Sequence, residues 1–231
     1  MATTKKAKSR RRDRPSPRVR LLASATNLFT TEGIRVIGID RILREADVAK
    51  ASLYSLFGSK DNLVIAYINE MAQKWTEEFE RRTEHLTDPE AKINALFDQV
   101  IDQQEKEGYP GSHFTHAASE YPNPESESEQ NIVAAVAEHR DWIFNTLTEL
   151  LTERNGYPSQ SIARQLMILI DGGITNAQHM KSREPLDLGH QQHHALGLAQ
   201  LEQGRLERLE VVAGQRGALG VGGLAGPRAQ L

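Results

Sequence analysis

Between Asp47 and Leu56 the chain reads DVAKASLYSL, a short stretch holding one ammonium, at Lys50, and three hydroxyls, at Ser52, Tyr54 and Ser55. Such groups hydrogen-bond phosphate oxygens and the edges of bases. At about 100° per residue, a helix from about Ala49 to Phe57 places Ala51, Ser52, Tyr54 and Ser55 on one side, with Lys50 at the edge. Ala49, Leu53, Leu56 and Phe57 fall on the other. The first side is lean apart from Tyr54, as a helix entering a groove about 12 Å wide must be. Beyond Gly58, Lys60 opens the next helix with Ser59 as its cap. An N-terminal turn there offers free backbone N–H groups and a cation to a phosphate; otherwise Lys60 is a solvated helix-start residue.

A second basic element precedes this one. Residues 5–20 contain nine Lys or Arg, including Arg10, Arg11 and Arg12, against the single acid Asp13. The remaining 19 basic and 30 acidic side chains leave the rest of the chain net negative. A polyanion would therefore meet one end of the molecule. A solvated tail without a target, or an address signal, is the alternative.

Other chemistries find little support. The chain has no cysteine, which removes thiol nucleophiles, thiolate metal sites and disulfides and fits a cytoplasmic location. There is no apolar run of about 18 residues, so no membrane span is expected. No Glu-x-x-His pair, phosphate loop or nucleophile elbow occurs, so no enzyme and no cofactor is expected. His113 and His116 are spaced to chelate on a helix but lack an obvious third ligand, and the cluster His190, His193 and His194 could bind a transition metal but is read as part of a mobile polar tail. No metal is assigned.

The elements that position these residues follow from periodicity. Residues 1–16 are low-complexity and basic, and are read as a disordered arm. From Pro17, the residues Val19, Leu22, Ala25, Leu28 and Phe29 form a helical stripe that stops at Glu32-Gly33. Gly38 is a permissive cap for a second short helix bearing Ile39, Ile42, Leu43 and Ala46. Asp47 tolerates the left-handed conformation needed for a tight turn into the third. Two short helices joined by a tight turn and packed on another make a helix-turn-helix, or a three-helix bundle with no role in DNA binding.

The stretch from about Arg18 to Ala66 resembles the DNA-binding domain of the tetracycline-repressor (TetR) family of bacterial regulators, through LFTTEGI, GIDRILREADVAKASLYSLF and GSKDNL at their mutual spacing. The resemblance implies an all-α homodimer: an N-terminal three-helix helix-turn-helix domain followed by a larger helical ligand-binding and dimerisation domain. It also implies that Lys50, Ser52 and Tyr54 face DNA and that Lys60 reaches phosphate. The family usually has Gly where Asp47 stands, Ser or Thr where Gly38 and Ala49 stand, and often His or Tyr where Leu56 stands. Those departures remove phosphate contacts that the basic arm is suited to replace.

The expected organisation is an arm over 1–16, a DNA reader over 17–62, a ligand-binding and dimerisation domain over 63–181, and a disordered tail over 182–231. Long helices are expected from Leu63 to about His85, from Pro89 to near Gly108, from about Ser126 to Asn155 and from Ser159 to about Lys181. By the resemblance, the last two form the dimer interface; by pattern alone they are core. Residues 109–124, YPGSHFTHAASEYPNP, are either a pocket wall or a connecting loop with buried aromatics. Aromatic and histidine enrichment nominates Trp75, Phe97, His113, Phe114, His116, Tyr121, Trp142 and Met167 for a small-molecule site. In the tail the alphabet changes, with 9 of the 17 glycines and no Lys, Ile, Phe, Tyr, Trp, Thr, Asn or Met, as reading in a shifted frame would produce. The expected function is a DNA-binding transcriptional regulator, a repressor released from a palindromic operator by a small molecule. An activator of the same fold, or a metal- or partner-binding adaptor, is the alternative.

Overall fold

The structure is a computed structural model that describes residues 14–193 and, among them, is all-helical. Arg10, Arg11, Arg12, His194 and the rest of the expected tail beyond 193 lie outside the described residues.

Helix α1, Pro17–Glu32, starts where Ser16 Oγ accepts the Val19 N–H at 3.4 Å and Pro17 fills the first turn. It ends at Gly33, whose φ of 99° suits glycine. Its buried stripe is Leu21, Leu22, Ala25, Leu28 and Phe29; Val19, expected inside, faces solvent. Helix α2, Ile39–Ala46, buries Ile42 and Ala46 and closes on Asp47 at φ 49° and ψ 57°, the left-handed turn that its sequence allows. Helix α3, Lys50–Phe57, buries only Leu53 and Phe57, one turn apart. Ala49 is its N-cap and is exposed, as is Leu56, so the expected apolar side narrows to two residues.

Helix α4, Lys60–Thr83, then runs for 24 residues. Helices α5, Pro89–Lys106, α6, His113–Ser119, α7, Glu127–Asn155, and α8, Gln160–Met180, follow: α5 and α7 pack on α4, α6 packs on α7, and α8 packs on α5 and α7. Three of these starts are capped by side chains, with Asp88, Ser112 and Ser126 accepting backbone N–H groups of α5, α6 and α7. Each such cap stabilises its helix by about 1 kcal/mol.

Two buried clusters organise the interior. The first joins α1–α3 to Leu63, Val64, Tyr67 and Ile68 of α4, and also to Ala117, Tyr121, Ile132, Ala135 and Val136. The second holds Phe79, the α5 stripe, Leu147, Leu150 and Leu151 of α7 and the buried side of α8. The first core therefore does not close at residue 62. It draws α6 and the start of α7 into contact with the helix-turn-helix.

The expected tail also begins differently. Residues 184–193 are helical and docked, with Leu186 and His193 buried. The ring of His193 stacks on Phe97 at 4.6 Å, and His190 stacks on the same ring at 5.5 Å. Glycine permits the fit on both sides. A Cβ on Gly173 would meet Leu186 Cδ2 at 3.3 Å, and one on Gly189 would meet the Leu169 carbonyl oxygen at 3.3 Å. Thus Gly173 is explained by this intramolecular contact, whereas a Cβ on Gly172 would meet nothing within 4 Å.

Candidate functional site

On α3, Lys50, Ala51, Tyr54 and Ser55 are exposed and Ser52 is half-buried. These are the residues read as groove-facing, and the structure brings them together on one face. Gly38 and Ala49, which cap α2 and α3, are exposed beside them, and neither cap receives a side-chain hydrogen bond. The first N–H groups of α3 are thus without a side-chain acceptor and suited to a phosphate. Lys50 Nζ lies 3.5 Å from Asp40 Oδ1, but both side chains are largely solvated, so the pair holds the ammonium weakly.

The turn between α2 and α3 is fixed by a residue not singled out from the sequence. Arg20 Nη1 donates to the carbonyls of Ala46 at 2.7 Å and of Asp47 at 2.8 Å, closing the end of α2 onto α1. Arg14 pairs with the Asp47 carboxylate and holds it below the usual carboxylate range. Asp47, which stands where the resembling family has glycine, thereby anchors the segment entering α1.

Lys60 requires a correction. Its Nζ donates to the Ile34 carbonyl at 2.7 Å instead of reaching outward, and burial lowers its pKa. This cation of α4 thereby ties down the loop between α1 and α2. The same loop is clamped from the other side. The Glu120 carboxylate, just past α6, accepts the Ile34 N–H at 2.7 Å and the Arg35 N–H at 2.6 Å. Arg35 in turn pairs with Glu129 at 2.6 Å and lies over the Tyr121 ring at 4.7 Å. Tyr121 is buried in the first core, with its hydroxyl pKa pushed up to about 12 by burial, and it does not reach the cavity described next. Sequence periodicity gives no signal for a clamp spanning such a separation.

A cavity of about 70 Å³ lies between α4, α5, α7, α8 and the start of α6. Trp75, His113, Phe114 and Met167 line it, as nominated. Phe97, His116, Tyr121 and Trp142 do not. Phe97 is covered by His190 and His193, His116 lies 3.3 Å from Gln178, and Trp142 packs edge-on behind Trp75 at 5.7 Å. The residue missed is His139. It is 5% exposed, its Nδ1 has no hydrogen-bond partner, and its ring lies against Phe114 at 3.8 Å and edge-on to Trp75 at 5.5 Å. Burial first, and Arg140 second, lower its pKa to about 4, so the imidazole is neutral at pH 7. Arg140 is itself neutralised by a two-pronged pair with Asp171, at 3.1 and 2.7 Å. An α7 that reads mainly as an apolar stripe conceals this histidine. Among the described residues no group of three or more His, Asp or Glu side chains is placed to hold a metal ion.

Comparison with known proteins agrees with this geometry. Residues 21–67 match the profile described as bacterial regulatory proteins, tetR family. Over 176 residues the chain is 27% identical to the HTH-type transcriptional regulator LmrA of Bacillus subtilis, covering 73% of this chain and 90% of that protein. A 76-residue match at 30% identity, covering 33% of each, relates it to the HTH-type transcriptional regulator HbdR of Aromatoleum sp.. The crystal structure of a TetR-family transcriptional regulator from Streptomyces coelicolor superposes with a TM-score of 0.71 at 29% identity, covering 79% of this chain and 95% of that one. The residues that match the profile span α1–α3 from Leu21 onward and the first turns of α4. Residues 21–67 match the DNA-binding domain of the tetR family of bacterial regulatory proteins, and the chain is a DNA-binding transcriptional regulator.

Proposed function

We propose that the chain is a homodimeric repressor, acting in the cytoplasm without enzymatic activity, that leaves a roughly palindromic operator when a small molecule occupies the body. Residues 17–62 are the reader. Residues 63–181, together with the docked helical segment to 193, form the effector and dimerisation body. The observation that carries the reading is the open face of α3, where Lys50, Ala51, Ser52, Tyr54 and Ser55 stand beside uncapped N–H groups. Two such helices enter successive major grooves about 34–36 Å apart. Lys60, tied to Ile34, is left out of the contact set. Arg10, Arg11 and Arg12 add attraction that weakens as salt rises.

The dimer is supported by a surface on α8, where Ile168 is 69% exposed and Gly172, one turn on, would tolerate a close neighbour. Effector release follows from the placement of α6. His113 and Phe114 at its start line the cavity, and Glu120 just past its end holds the α1–α2 loop. A molecule that favours a shifted α6 changes the setting of the reader, provided that it binds the two settings with different affinity. Among the described residues no helix is long and apolar enough to cross a membrane.

The test is selection of bound sequences from a random duplex pool by the full chain at stated salt. A recovered palindrome is expected. Recovery of nothing above background by folded protein would overturn the reading.

A further inference from the structure

The cavity beside His139 is too small for an aromatic ring as it stands, since an apolar cavity that takes benzene measures about 150 Å³ and this one about 70 Å³. What occupies the remaining room is Phe114. Its ring covers the face of His139 at 3.8 Å and is only partly buried. Outside it lies a groove of about 780 Å³, lined by side chains of both signs that include Lys74, Arg82, Glu78 and Asp102. Groove and cavity share Met71, Trp75, Gln103, His113 and Phe114, so these five side chains form the partition between them.

Polar capacity on the cavity side is nearly used up. Gln104 is committed to both backbone groups of Gly111, Gln103 and His113 to Glu107, and Arg140 to Asp171. Of the buried polar side-chain atoms that line the cavity, only His139 Nδ1 is without a hydrogen-bond partner. The rest of the wall is mainly apolar, from Trp75, Val100, Ile143, Met167, Ile170 and Ile174, with Ser112 Oγ accepting the Thr115 N–H. An ion entering such a site would lose its water without gaining an unpaired counter-charge.

Resting on the reading of this cavity as the effector site, we propose that Phe114 is a plug, and that the effector is an uncharged, flat, single-ring aromatic molecule with one hydrogen-bonding group, which displaces Phe114 from the face of His139. The ligand fills the room that Phe114 gives up and sets its hydrogen-bonding group in the plane of the imidazole at Nδ1, a bond that Phe114 cannot make. Because Phe114 is in the first turn of α6, its displacement pushes on the helix that leads to Glu120.

The test needs no DNA. Of the two tryptophans of the chain, Trp75 lines the cavity and Trp142 packs edge-on against it at 5.7 Å, so their fluorescence reports on the site. The full chain is titrated with phenol, benzoate and cyclohexanol, exciting where only tryptophan absorbs. A saturable change with phenol is expected, with benzoate and cyclohexanol at least about tenfold weaker, a difference of about 1.4 kcal/mol. Removing the plug should tighten phenol binding several-fold in Phe114→Ala, or in Phe114→Leu if the first variant loses helix content. A merely structural Phe114 would instead weaken it. His139→Phe should erase the preference for phenol over toluene. Benzoate binding best, phenol weakened by loss of Phe114, or no saturable change in any folded variant would each overturn the proposal. Such a failure leaves operator selection untouched, so the two readings fail separately.

Discussion

Lys50 and Tyr54 stand clear of the core, so their replacement separates DNA contact from folding. Lys50→Ala should weaken operator binding and reduce the salt slope by about one phosphate's worth, while thermal unfolding shifts by no more than about 0.5 kcal/mol. Anisotropy titrations over a salt series, paired with a melt, check both. His139 makes the opposite kind of residue, buried and silent at pH 7. Its folded pKa of about 4 lies below its ordinary value of 6.5, so the unfolded chain binds the extra proton first. Stability from this group is therefore full above pH 6.5 and declines as pH falls towards 4, by up to roughly 3 kcal/mol. Denaturant unfolding of His139→Phe should show a flatter pH profile through that window; an identical slope would refute the assignment. Neither the neutrality of His139 nor the inward turn of Lys60 was legible in the sequence, because each depends on partners from distant helices.

At the scale of the helix, Arg20 holds the turn on which the orientation of α3 depends. Arg20→Met keeps its aliphatic packing but leaves the Ala46 and Asp47 carbonyls without that donor. A loss of about 1–3 kcal/mol is expected, together with faster amide exchange in α2 and α3 measured by mass spectrometry. The helices themselves were readable because their ends carry local signals: Ser16-Pro17, Asp88-Pro89 and Ser126 at starts, Gly33 and Gly156 at stops. The docked segment 184–193 was not, although Leu186, Gly189, His190 and His193 keep helical spacing. Its glycine- and histidine-rich alphabet hid a contact made by shape, a glycine on each side, more than by apolar content. The pocket was half legible for a related reason. Enrichment in aromatics finds rings, but rings such as Phe97 and Trp142 are consumed by neighbours, and only packing tells which remain available.

Taken whole, the molecule joins the first three helices to the rest across α4 and the shared first core, and α8 presents an exposed surface at Ile168. Ile168→Glu should yield a monomer by light scattering and reduce operator affinity far more than it reduces helix content; an unchanged dimer would place the interface elsewhere. The Glu120 clamp bears also on how this protein can be recombined. A chimaera joined within α4 would carry the reader onto a foreign body and leave the Ile34 and Arg35 N–H groups facing whatever that body holds in place of the carboxylate. Arg35 would lose Glu129 and the Tyr121 ring as well. The transplantable module is therefore discontinuous in sequence: the first three helices travel intact only with Glu120, Tyr121 and Glu129 grafted alongside.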